Sequence, residues 1–295
     1  MCIRDSLITL GNIPGGSYVI SELVASASSG TLGVAAIGAE STPHAVIVVA
    51  VAAVLIGAMA KSAIIPFHFW LPAAMAAPTP TSAYLHAAAM VKAGVYLVAR
   101  LAPGFSDLAA WRYMILAGGI ATLVLGGYRA LKQYDLKLVL AFGTVSQLGL
   151  ILLMVGYGTP AMLLAGLGML VAHAMFKSTL FLAVGQVDWA TGTRDLRELS
   201  GVGRQMPVTA SAAALAGLSM AGVPGFAGFV AKEAALHALI GGTTADTLTW
   251  LAIAAGSIFT VAYTLRFWWG AFADKPGART PVKRRSPMLT APIVV

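Results

Sequence analysis

Apolar residues fall along this chain in long blocks, separated by short polar stretches. Blocks cover about His44–Phe69, Thr81–Arg100, Arg112–Tyr128, Leu136–Val155, Pro160–Gln186, Val208–Ile240 and Thr247–Trp269. Several approach or exceed the roughly 20 residues that span a bilayer as helix. The strict alternation of a membrane β-barrel is absent. The pattern predicts an all-α polytopic transmembrane helix bundle. Two blocks carry internal breaks. Pro66 and Pro72 interrupt the first, since proline lacks a donor and disfavours helix just before itself. GVPGFAGF at 222–229 interrupts the sixth, which is too long for one plain span. Carbonyls freed inside a membrane need another partner, so each break is expected to line water or be buried in protein.

Composition agrees with this reading. Of the 295 residues, 58% are hydrophobic and 10% charged, against about 25% charged in soluble domains. The formal charge of +8 does not indicate nucleic acid, because the basic residues lie between apolar blocks and read as topology signals. In alternate loops, one side collects eleven: Arg129, Lys132, Lys137, Arg194, Arg197, Arg204, Lys275, Arg279, Lys283, Arg284 and Arg285. The other side has two, Arg100 and Arg112. The first side is expected to be cytoplasmic. With Cys2 as the one cysteine, an internal disulfide and a thiolate metal cluster are excluded. No phosphate-binding G-x-x-x-x-G-K-[ST] motif is present, so ATP-driven transport lacks its signature.

Residues 7–40 are mildly apolar and carry Glu22 and Glu40. They read as the tail of a truncated helix followed by a short surface segment around YVISELVASA. MCIRDS, over 1–6, is similar to a translated adapter remnant, and MLTAPIVV stops as a new apolar run begins. The chain is therefore expected to be an internal fragment. Its expected divisions are 1–43, a helix end and surface segment; 44–101, the end of one membrane unit; 112–272, a second unit; and 273–295, a cytoplasmic loop with the start of another helix.

An ionisable side chain within an apolar block is costly to bury and marks an ion or proton path by default. Lys61 lies beside the first break; its alternative is snorkelling to the interface. His86 can exchange protons near cellular pH, or sit idle against a carbonyl. Lys92, six positions on and well around the helix from it, is a candidate for ion binding in the same hydrated interior; its alternative is support of a neighbour. His173 and Lys177 are four apart and share a face. Two cations there would repel, which suits a relay carrying one proton at a time; the alternative is a packing pair bonded to backbone or water. Lys232 follows the second break. Glu233 and His237, four apart, are candidates for ion binding, and Glu233 is the one acidic residue clearly within an apolar block. No group of residues forms a metal-ligand cluster.

The stretch KSAIIPFHFWLPAAMAAPTPTSAYLHAAAMVKAGVYLVAR, then AHAMFKSTLFLAVG, GTRDLRELSG and GVPGFAGFVAKE, occur in this order. Together they closely resemble the antiporter-like subunits shared by Mrp-type multisubunit cation/proton antiporters and respiratory complex I. FHFWLPAAM, AYLHAAAMVKAG and GTRD look more like the Mrp A-type member. The resemblance implies inverted repeats and a proton relay through Lys61, His86, His173, Lys177 and Lys232. It pairs Lys61 with a glutamate on an earlier helix that this sequence lacks. It also implies a secondary transporter subunit of a bacterial inner membrane, exchanging Na⁺ or another cation for protons beside other Mrp subunits and lipid. No cofactor is expected, since those of complex I lie in other subunits. The rival expectation is a proton-pumping subunit of a redox complex, and a third is a scaffold without ion traffic.

Overall fold

A computed structural model of the protein describes residues 2–33, 44–87, 90–276 and 280–282. Two short helices, α1 (Cys2–Asn12) and α2 (Ile20–Ser28), lead the chain. Then come α3 (His44–Lys61), a turn, two 3₁₀ segments (Phe67–Phe69 and Ala74–Ala76) flanking α4 (Trp70–Ala73), α5 (Thr79–Ala87) and α6 (Lys92–Phe105). The rest comprises α7 (Ala109–Leu131), α8 (Leu136–Gly156), α9 (Pro160–Thr191), α10 (Val202–Gln205), α11 (Pro207–Ala221), α12 (Ala227–Ala238) and α13 (Thr244–Phe272). The described residues contain no strand, so the all-α expectation holds. Glu40, Ala89, Arg279, Lys283, Arg284, Arg285 and the MLTAPIVV end lie outside the described residues.

Local chemistry sets the helix ends. The Asp135 carboxylate accepts from the Lys137 and Leu138 backbone N–H groups at 2.7 and 3.2 Å, capping α8. Thr159 caps α9, with Pro160 at its first position. Gly192 and Gly222, at φ +80° and +85°, end α9 and α11 in the left-handed conformation that glycine adopts without strain. Thr243 and Asp246 form a reciprocal capping box on α13.

Among the described residues, six stretches are long and apolar enough to cross a membrane: His44–Lys61, Thr79–Phe105, Ala109–Leu131, Leu136–Gly156, Pro160–Thr191 and Thr244–Phe272. α11, with 15 residues, rises only about 22 Å, short of the roughly 30 Å hydrocarbon thickness. It crosses only when continued by α12 beyond the break at 222–226. α8 is the central post, buried along almost its whole length among α6, α7, α9 and α13. Glycines bring α7 onto it: a Cβ on Gly126 would lie 2.7 Å from Ser146 N, and one on Gly149 2.6 Å from Leu123 N.

Several boundaries differ from the sequence expectation. The first block does not run as helix to Phe69. α3 stops at Lys61, and residues 62–66 turn before the chain resumes as short helical pieces. Within the Thr81–Arg100 block, a turn at 90–91 precedes α6. No proline marks that turn, so periodicity alone did not reveal it. α9 extends five residues past Gln186, because Gly192 and not the drop in hydropathy ends it.

The charged loops gather at one end of the bundle. Leu136 N donates to Arg194 O at 3.0 Å and Leu196 N to Tyr134 O at 2.8 Å, docking 192–201 on the α7–α8 turn. Arg194 pairs with Asp135 and Asp188. Lys275 donates to the carbonyls of Leu196, Leu199 and Gly270, tying the same loop to the end of α13. The Arg197 guanidinium hydrogen-bonds the Asp195 carboxylate and holds its pKa down at about 2. Lys137 is the exception among the loop charges: it is buried, and its ammonium donates to Ala77 O at 2.9 Å.

Candidate functional site

The first break sits at mid-depth. Ile65 N donates to the Thr122 hydroxyl at 2.9 Å, and Thr122 lies in the middle of α7. Ser62 links the break to α6, its hydroxyl accepting from Val95 N at 3.0 Å. Gly94 permits this crossing, since a Cβ there would overlap the Ala58 carbonyl. Lys61, the last residue of α3, thus directly precedes the residue that bonds to α6. Lys61 itself is exposed on the flank of this chain, whereas Lys92 is buried.

His86, His173 and Lys177 are fully buried. The His86 ring packs on Phe181, centroids 4.6 Å apart, and His173 meets Phe176 edge-on at 5.4 Å. Electrostatic interactions connect His173 with Lys177, Lys92 and His86, and His86 with Lys177. Four of the predicted residues therefore form one cluster between α5, α6 and α9. Lys177 Nζ donates to Leu140 O on α8 at 3.1 Å. Neither nitrogen of His86 or His173 has a hydrogen-bond partner among the described residues. No carboxylate is buried among them either. At about 6 Å and an effective dielectric of about 20, two of these cations would repel by ~3 kcal/mol. The cluster is built to hold fewer protons than it has basic groups.

The second break has a different chemistry. Lys232, on α12, donates to Met220 O at 3.0 Å and Ala221 O at 3.2 Å. These are the last carbonyls of α11, where the helix dipole favours a cation. A Cβ on Gly222 would lie 3.1 Å from Lys232 Cδ, so glycine leaves room for the lysine to double back. α12 is held against α11 equally closely: a Cβ on Gly228 would overlap the Ser219 carbonyl. No hydrogen bond or electrostatic interaction joins Lys232 to the His86–Lys177 cluster among the described residues.

Glu233 and His237 are exposed on the outer side of α12 and form no ion pair or hydrogen bond with each other. Their spacing allowed a meeting; both side chains instead face outward, away from the buried Lys232 and Ala235. The described residues contain no group of three or more His, Cys, Asp or Glu able to hold a metal ion.

Sequence reasoning passed over Gln147, Thr260 and Tyr263, all buried. Gln147 Nε2 donates to Thr260 Oγ1 at 3.0 Å and to the Tyr263 hydroxyl at 3.2 Å. A glutamine inside an apolar block is a legible signal, but its partners lie more than a hundred residues away.

These features can be set beside known proteins. The family profile described as "NADH:quinone oxidoreductase/Mrp antiporter, TM" matches residues 17–260. The chain belongs to that family. It is 42% identical over 284 residues to a probable K⁺/H⁺ antiporter A/B subunit of Rhizobium meliloti, covering 95% of this chain and 27% of that protein. It is 44% identical over 248 residues to the A-type subunit of a Na⁺/H⁺ antiporter of Alkalihalophilus pseudofirmus, covering 75% of this chain and 30% of the relative. Among solved structures, a chain of the Mrp complex from a Dietzia species superposes with a TM-score of 0.78 at 36% identity, over 100% of this chain and 34% of that one. A chain of an archaeal membrane-bound sulfane sulfur reductase gives the same TM-score at 25% identity, over 99% of this chain and 58% of that one. The chain thus spans 27% and 30% of the length of these two curated relatives. Together with the six apolar spans, family membership makes it a multi-pass membrane protein.

Proposed function

We propose that the chain is part of an A-type subunit of a multisubunit cation/proton antiporter in a bacterial inner membrane. It works beside other subunits, and the proton gradient drives efflux of Na⁺ or K⁺. The observation that carries this reading is the buried cluster of His86, Lys92, His173 and Lys177, which no buried carboxylate neutralises among the described residues. Burying four basic groups together is costly, and passage of protons is the function that repays it. A proton arriving at one member raises the cost of protonating the next, so charge moves stepwise. Lys232, held on the carbonyls of α11, serves as the terminal relay on one side. Lys61, at mid-depth on an exposed flank, serves on the other, facing a part of the full-length protein outside this chain. The two units at 44–101 and 112–272 are the halves between which protons pass. Glu233 and His237, both exposed, take the cation-binding role only if another element covers that side of α12.

A second reading is supported by the likeness to a chain of an archaeal respiratory membrane complex: proton pumping driven by electron transfer. One experiment separates the two. The complete complex is reconstituted in liposomes with an imposed proton gradient and no electron donor. Collapse of the gradient on adding Na⁺ or K⁺ supports antiport. No response to either cation, with proton movement only when a reductant is supplied, supports the redox reading.

A further inference from the structure

The relay cluster has a lateral neighbour on α13. Gly143, on α8, is the point where the two meet. A Cβ placed there would lie 3.3 Å from Lys177 Nζ and 3.1 Å from Tyr263 Cε2. The glycine therefore opens a slot between the lysine ammonium and the tyrosine ring. Gln147 lies one turn further along the same face of α8. Its amide orientation follows from the bonding around it. Thr260 Oγ1 donates to Gly256 O at 2.8 Å, so it must accept from Gln147, which puts Nε2 on that side. The Tyr263 hydroxyl is 3.5 Å from Gly143 O, to which it donates, and accepts from Gln147.

Two hydrogen-bonding capacities then remain unused. Gln147 Oε1 is fully buried and has no partner among the described residues. Lys177, when protonated, has three donors, of which one reaches Leu140 O. A buried acceptor without a donor costs ~1–3 kcal/mol, and buried polar groups of this kind are ordinarily joined by water. We propose that Gln147 and Tyr263 are positioning residues for Lys177: through the slot left by Gly143, by way of water, Gln147 Oε1 supplies an acceptor for its ammonium, and the Tyr263 hydroxyl fixes the amide that presents it. They hold its charged form in place while His173 and His86 exchange protons with it. This proposal rests on the relay reading of Lys177. The titratable groups around Lys177 are His173 on its own helix, His86 on α5, Lys92 on α6 through its interaction with His173, and Tyr263 on α13. α8 contributes neutral Gln147, Thr144 and Ser146, and α12 places Lys232 against Gly222, away from the cluster.

The test uses the full-length protein in complex with its partner subunits. Tyr263→Phe removes one hydroxyl, and Gln147→Leu removes the amide. Because the acceptor favours the protonated lysine, removing it or the hydroxyl that orients it should move the upper pH midpoint of antiport downward by about one pH unit, the size expected for losing one hydrogen bond to a charged group. Gly143→Ala, which fills the slot, should do the same; Gln147→Glu should move the midpoint upward. Thermal melting of the purified complex gives an independent reading. Lys177→Leu combined with Tyr263→Phe or Gln147→Leu should be non-additive, as for groups in one network. Unmoved midpoints together with additive melting shifts would overturn the proposal. If Lys177→Leu alone leaves antiport intact, the relay reading fails instead, and the positioning role falls with it unless the melting cycle still shows coupling.

Discussion

Lys232→Met separates a structural lysine from a conducting one, because the two roles predict opposite balances of stability and flux. Lys232 is 5% exposed and donates to two carbonyls, Met220 O and Ala221 O. The neighbouring carbonyls of Leu218 and Ser219 are already satisfied by the backbone N–H groups of Gly222 and Val223. Removing the ammonium therefore strands the buried Met220 carbonyl, at ~1–3 kcal/mol, and the partly buried Ala221 carbonyl at less. Against this, the desolvation of a buried ammonium, several kcal/mol, no longer has to be offset. Methionine fills much of the same volume and adapts to irregular space. The opposing contributions are of similar size, so the net change in stability should be within about 2 kcal/mol. Antiport, by contrast, should fall at least about 100-fold, since no other side chain at the break can carry a proton. The assay is cation-dependent collapse of the proton gradient in everted vesicles, alongside the melting temperature and subunit content of the purified complex. A complex that fails to assemble with Lys232→Met, while Lys232→Arg restores both assembly and flux, would show that the lysine serves only to cap α11, since a guanidinium keeps its proton. Normal flux in Lys232→Met would refute its place in the relay.

Other expectations follow from the packing and from the docked loop. Gly228→Ala forces a methyl group into the Ser219 carbonyl, so α12 must move. We expect a loss of about 1–3 kcal/mol with lower antiport, read as a lowered melting temperature and slowed exchange; an unchanged protein would show that α11 and α12 are not held this closely. Ser62→Ala removes the acceptor for Val95 N and should destabilise by roughly 1–3 kcal/mol, with the loss seen as faster amide exchange at the start of α6. The Asp195 carboxyl is held at about 2 by Arg197, below its ordinary value of 3.8. A depressed carboxyl stabilises the fold above its unfolded value, and that contribution disappears as pH falls from about 3.8 to about 2. Proteolytic cutting of the 192–201 loop should rise across that window, and Asp195→Asn should cut easily at every pH.

Much of the fold was legible because the hydrocarbon core imposes long apolar blocks, and prolines and glycines mark their interruptions. The broken α11–α12 pair and the fold class follow from that alone. The turn at 90–91 before α6 was hidden, since nothing in AYLHAAAMVKAG interrupts the apolar pattern. Helix spacing placed His173 and Lys177 on one face, but only packing shows that His86 and Lys92 join them. Lys137 carried a misleading signal: a lysine at a loop edge reads as a topology charge, yet its ammonium turns inward to Ala77 O. Gln147 and Tyr263 were hidden for a different reason. Their importance lies in a contact across α8 and α13, and a glycine at the contact point leaves no chemical trace in the sequence.

The most direct measurement is proton flux through the complete complex in sealed liposomes carrying Lys177→Met, with His173→Gln as a second variant. Subunit content and melting temperature are monitored in the same preparations. The buried cluster as the route for protons predicts that both variants assemble normally and lose nearly all cation-coupled flux. Wild-type flux in correctly assembled complexes of either variant would contradict it.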